Sequence, residues 1–167
     1  MKNGKNSMKL EFCASPENET LARVCIAAFA SGLNPPVEKI IEIKTAVSEA
    51  VTNAVVHGYG PDGGVVTLSA YIRGNTLHIS VSDKGRGIED VEKAMQPFYT
   101  TAPEYERSGM GFSVMESFMD SVRVKSVPGK GTTVKMSKVI NEVSDDAKAR
   151  LWQREFHGAA YCGQKRR

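Results

Sequence analysis

In Leu77-His78-Ile79-Ser80-Val81-Ser82-Asp83-Lys84-Gly85-Arg86-Gly87, the apolar residues Leu77, Ile79 and Val81 alternate with polar neighbours, which predicts a strand with one buried face. The same period of two carries Asp83 onto that inward face at the strand's end. A carboxylate in that place has two readings: it caps a tight turn, since Asp before Gly is common in turns, or it meets a ligand.

Outward from this stretch, Val66, Leu68, Ala70 and Ile72 predict a preceding strand, joined to it by a turn at Gly74-Asn75. Residues 121–127 and 132–139 predict a hairpin around Pro128-Gly129-Lys130-Gly131, with Val122 and Val124 facing the same core as Val134 and Met136. A first strand is expected at 8–14. Helices are expected over 17–31 and from Asn34-Pro35-Pro36 to Gly58. In the first, Leu21, Val24, Cys25, Ala28 and Phe29 form the apolar face; in the second, the stripe is Val37, Ile40, Ile41, Val47, Val51, Ala54 and Val55. A short helix over 88–95, an irregular loop over 97–103 and a helix over 110–119 complete the pattern. Helices before and between antiparallel strands imply an α+β, two-layer sandwich with a mainly antiparallel sheet.

Composition bounds the function. The 167 residues are 41% hydrophobic and 25% charged, which suits one compact domain with a real core. The net charge of +3, from 22 basic and 19 acidic residues, is too even for bulk attraction to nucleic acid. Lys2, Lys5, Lys165, Arg166 and Arg167 place much of the surplus at the ends, as solvated tails commonly do. Cys13, Cys25 and Cys162 are widely spaced and suggest neither a disulfide framework nor a zinc site. No stretch approaches the roughly 20 apolar residues that cross a bilayer, and no apolar signal core follows the N-terminus, so a cytoplasmic protein without a membrane partner is expected.

On the second helix Glu49, Asn53 and His57 recur at every fourth position and stand in one row, either as a solvated polar face or facing a ligand. Further on come Asp83-x-Gly85-x-Gly87, then Gly109-x-Gly111 leading into a helix, then Gly129-Lys130-Gly131-Thr132. Each alone is a tight bend. Together and in this order they resemble the N, G1, G2 and G3 boxes of the Bergerat-fold (histidine-kinase-like) ATPases, the superfamily of gyrase B, histidine kinases and MutL. Within it, Val47-Ser48-Glu49-Ala50-Val51-Thr52-Asn53-Ala54 and Glu106-Arg107-Ser108-Gly109-Met110-Gly111-Phe112 resemble the anti-sigma-F family of serine kinases. The resemblance spans 8–140 and leaves 141–167 as a tail of unassigned role.

The resemblance implies ATP and magnesium as cofactors. Asp83 would accept a hydrogen bond from the adenine amino group, with Gly85 and Gly87 allowing close backbone approach and the Thr132 hydroxyl pointing inward beside Asp83. Thr100, Thr101, Ser108, Gly109, Met110, Gly111 and Phe112 would belong to the phosphate-covering segment and the helix start that follows it. Asn53 would ligate magnesium through its amide oxygen. Glu49 would be the general base, Arg107 a γ-phosphate contact, and His57 structural. Arg23, otherwise a solvated helix charge, matches an arginine that in this family contacts its partners. The implied function is ATP-dependent inhibition of a sporulation sigma factor and phosphorylation of an anti-anti-sigma factor on serine, by a homodimer. The alternative is a nucleotide-gated binding module without kinase activity.

Overall fold

A computed structural model describes residues 6–99 and 109–141. Strand β1 (Ser7–Cys13) is followed by α1 (Asn18–Ala30), a 3-10 turn and α2 (Val37–Asn53), and then by β2 (Val65–Arg73) and β3 (Thr76–Ser82). A short α3 (Val91–Ala94), α4 (Gly111–Phe118), β4 (Ser121–Val127) and β5 (Gly131–Val139) follow among the described residues. The five strands form one sheet in the order β1-β2-β3-β5-β4, with every neighbouring pair antiparallel. α2 lies centrally in the helical layer, packed between α1 and α4.

The strand periodicities hold. Leu68 on β2, Leu77, Ile79 and Val81 on β3, and Val134 and Met136 on β5 are buried against the helices. The opposite face carries mostly Ser, Thr and Lys, with Tyr71 and His78 stacked 4.5 Å apart.

The faces of α1 and of the start of α2 differ from expectation. α1 buries Ala22, Ile26 and Ala30, while Leu21 and Val24 are exposed; on α2, Val37 and Ile41 are exposed and Ile43, Ala46, Val47, Ala50 and Val51 are buried. α1 is apolar almost all round, so hydrophobic spacing admits more than one phase. The phase that wins presents two alanines, which leave room for the helix axes to approach. Burying a larger Leu21 or Val24 there would hold the helices apart.

Two boundaries also move. α2 ends at Asn53 and the chain widens into a π turn over Ala54–Tyr59, which closes at Gly60 in a positive-φ conformation (φ 60°). Such π turns often accompany functional sites. α3 begins only at Val91, because the Ile88 N–H is taken by Ser126 Oγ on β4 at 2.7 Å and Asp90 caps the helix, its Oδ1 accepting the Lys93 N–H at 2.9 Å.

Candidate active site

Asp83 stands just past β3, buried as its strand parity requires. Its Oδ1 accepts the backbone N–H of Gly85 at 2.9 Å and of Thr132 at 3.2 Å, and its own N–H donates to the Thr132 carbonyl at 2.9 Å. Burial pushes its carboxyl above the usual value of 3.8, against the lowering effect of the two backbone donors. Turn cap and pocket floor are therefore the same residue.

Glycines let the backbone close around this carboxylate. A Cβ on Gly85 would lie 2.1 Å from the Gly58 carbonyl oxygen, and one on Gly58 would lie 3.0 Å from Asp83 Oδ1. The Arg86 N–H donates to that Gly58 carbonyl at 2.9 Å, so the π turn and the 83–87 loop are joined through backbone. The β4–β5 turn is tied to the same loop, its Gly129 N–H donating to the Arg86 carbonyl at 2.7 Å.

The N-terminus of α4 meets the polar row of α2. A Cβ on Gly111 would fall 3.1 Å from Glu49 Oε2 and 3.4 Å from both terminal atoms of Asn53. Residues far apart in sequence thus come together: Glu49 and Asn53 against the first turn of α4, whose free backbone N–H groups favour anions. Gly109 has φ 62° and its carbonyl accepts the Phe98 N–H at 2.9 Å.

Between floor and helix end lies a cavity of about 660 Å³, a size usual for small-molecule sites. Of the residues expected to bind nucleotide, Asn53, Asp83, Gly87, Gly109, Phe112 and Thr132 line it. Gly85 supports it from behind through Gly58, Met110 precedes α4, and Gly111 packs on Glu49 and Asn53. Thr100, Thr101, Arg107 and Ser108 lie outside the described residues, as does the tail beyond Asn141. Thr132 lies on the same face of β5 as Val134 and Met136 and lines the cavity, its hydroxyl 2.9 Å from Ser126 Oγ and its backbone N–H donating to Asp83 Oδ1. Ser126 and Thr132 stand opposite each other in the β4–β5 register.

Sequence reasoning missed several wall residues. His57, expected to be structural, lines the cavity beside Gly58, and so do Arg86, Glu89, Asp90, Lys93 and Tyr99. The four-residue spacing from Asn53 signalled His57; nothing in the local pattern signalled Lys93 or Tyr99. Arg23 lies on α1 away from the cavity, half-exposed and paired with Glu19 at 3.5 Å, and Glu19 in turn accepts a hydrogen bond from Ser48 on α2.

These residues suit an adenine nucleotide. The floor presents a buried carboxylate with Oδ1 committed to backbone, fitted to receive an amino group. Asn53, Gly109 just before α4 and Phe112 in its first turn also line the cavity, while the Glu49 carboxylate, outside that lining, stands beside Gly111, where a side chain would fill the space. Residues 12–138 match the histidine kinase-like ATPase domain family. An anti-sigma F factor of a Thermoanaerobacter species is 56% identical over 135 residues, covering 81% of this chain and 94% of that protein. The chain belongs to the anti-sigma F factors of the histidine kinase-like ATPase family. The anti-sigma F factor of Clostridium acetobutylicum is 55% identical over 141 residues, covering 84% of this chain and 99% of that protein. At the level of fold, the solved RsbU and RsbW domains of a Mycobacterium tuberculosis protein superpose with a TM-score of 0.60 at 20% identity, covering 81% of this chain and 33% of that one. The antiparallel five-stranded sheet under a helical layer is the Bergerat fold of this family. Among the described residues no helix is long and apolar enough to cross a membrane.

Proposed function

We propose that this chain is a cytoplasmic anti-sigma factor that binds a sporulation sigma factor in its ATP-loaded state and, as a protein serine kinase, phosphorylates an anti-anti-sigma factor. The observation that supports this is the approach of Gly111, at the start of α4, to Glu49 and Asn53, of which Asn53 lines the same cavity as Asp83. A pure binding module needs the floor; it does not need a carboxylate and an amide aligned on the anion-binding helix end.

On this proposal each residue has a role. Asp83 accepts the adenine amino hydrogen, which guanine does not offer at that position. The first turn of α4 holds phosphate oxygens, and Asn53 would hold magnesium through its amide oxygen. Magnesium, when bound, neutralises charge on the phosphates. Glu49 orients the incoming serine hydroxyl and takes its proton as the Ser O–P bond forms and the bond from the γ-phosphorus to the bridging oxygen breaks, leaving ADP. Positioning and electrostatics supply most of the acceleration in such transfers. Arg107 fits a γ-phosphate contact, and Thr100, Thr101, Ser108 and Met110 the nucleotide-covering segment, by their match to the family pattern. Arg23 is the docking arginine, in a homodimer whose domain is 8–140.

Nucleotide-dependent capture tests the inhibitory half. The protein loaded with ATP should retain a sporulation sigma factor on gel filtration, and the ADP-loaded protein should retain less. Equal retention with both nucleotides, or with none, would remove nucleotide control.

A further inference from the structure

Among the described residues, two side chains that are cations at neutral pH line the cavity, Arg86 and Lys93. A polyphosphate is a strong anion, so how each is held decides which can serve it. Arg86 is anchored: Nη2 donates to the Val56 carbonyl at 3.4 Å, which sets the guanidinium against the π turn beside Gly60.

Lys93 is held differently. Its backbone is fixed, the N–H donating to Asp90 Oδ1 at 2.9 Å, while its ammonium lies 5.2 Å from the centre of the Tyr99 ring. Among the described residues no carboxylate forms an ion pair with it. Tyr99 follows Phe98, whose N–H donates to the Gly109 carbonyl at 2.9 Å, so the ring beneath the ammonium is tied to the glycine that leads into α4. The cation therefore rests on a ring whose chain neighbour is bonded to the glycine before α4, on an aromatic face that attracts it weakly in contact with solvent. Its four-carbon stem lets it leave that face without moving α3. Glu89 and Asp90 share the wall and would repel phosphate; a lysine one turn on offsets them.

We propose that Lys93 is a phosphate-binding residue of the nucleotide site, its ammonium passing from the Tyr99 face to a non-bridging phosphate oxygen when nucleotide is present. The inference rests on the ATP reading of the cavity and adds a cation outside the family's motif boxes.

The test is calorimetric binding of ATP, ADP and adenosine to wild type, Lys93→Met and Lys93→Arg. Methionine keeps a long apolar stem over Tyr99 and removes the charge. It should weaken ATP and ADP by about tenfold, the range of one charge-assisted bond, and leave adenosine unchanged; arginine should restore most of the loss. Equal weakening of adenosine would overturn the proposal, since Lys93 would then act only on the shape of the wall. Tight ATP binding by wild type with the same affinity in Lys93→Met would overturn this inference alone. Failure of wild type to bind any adenine nucleotide would overturn it together with the ATP reading.

Discussion

The carboxylate of Asp83, beyond the end of β3, accepts the backbone N–H of Thr132 on β5 at 3.2 Å, so the pocket floor is built into the strand pairing itself. Because burial raises this carboxyl, its protonation should be visible in binding. Adenine recognition requires the ionised acceptor, so ATP affinity should fall on acidification at a pH above the ordinary 3.8. Stability of the free protein runs the other way. The folded state holds this proton to higher pH than the unfolded chain, so the term lowers stability as pH rises from about 3.8 through the folded value. Asp83→Asn should abolish both dependences and weaken ATP by about tenfold or more. Binding and urea denaturation across pH 3.5–7 check this; unchanged ATP affinity in the Asn variant would remove Asp83 from adenine recognition.

Glycines at two places should respond differently to alanine. In Gly111→Ala the new methyl meets Glu49 Oε2 and Asn53, side-chain ends that can shift. Phosphoryl transfer should drop by about a hundredfold, as small misplacements do, with the melting temperature nearly unchanged. In Gly85→Ala the methyl meets the Gly58 backbone at 2.1 Å, which cannot yield cheaply. A loss of about 1–3 kcal/mol in urea denaturation is expected there.

Arg23 is fixed on α1 by Glu19, outside the cavity. If Arg23 is the proposed docking arginine, Arg23→Ala should weaken sigma-factor and anti-anti-sigma binding by about tenfold or more, with ATP affinity preserved. Calorimetry with nucleotide and with each partner separates the two; equal losses would mean that the substitution disturbs the fold.

Lys138 supports the domain behind the site. It is buried, its Nζ lies 2.6 Å from Glu42 Oε2, and it donates to the Phe118 carbonyl that ends α4. Lys138→Met should cost about 1–3 kcal/mol, by leaving that carbonyl and Glu42 without their donor. Urea unfolding measures it, and a neutral result would show that water replaces the ammonium.

The site was more legible than the packing that carries it. Asp83 could be placed because a strand fixes side-chain direction with a period of two. Glu49 and Asn53 could be placed on one helix face for a similar reason. Which face of α1 is buried could not be read, because Leu21, Val24, Ala22 and Ile26 all satisfy a helical spacing and the choice depends on how closely α2 approaches. The inward face of Thr132 follows from strand parity, but its hydroxyl partner, Ser126, is set by the β4–β5 register and not by local pattern. Lys93 and Tyr99 join the wall only through the short α3 and the Phe98–Gly109 contact, both consequences of tertiary hydrogen bonds.

On the proposed reading Glu49 and Asn53, which stand beside Gly111, perform phosphoryl transfer to a serine. The measurement that tests it most directly is transfer of labelled γ-phosphate from Mg-ATP to a purified anti-anti-sigma factor by wild type and Glu49→Gln side by side. Wild type should give phosphoserine and Glu49→Gln no detectable transfer, with equal ATP affinity for both. Equal transfer by the two proteins would contradict the base role of Glu49, and no transfer by either, with ATP bound, would contradict the kinase itself.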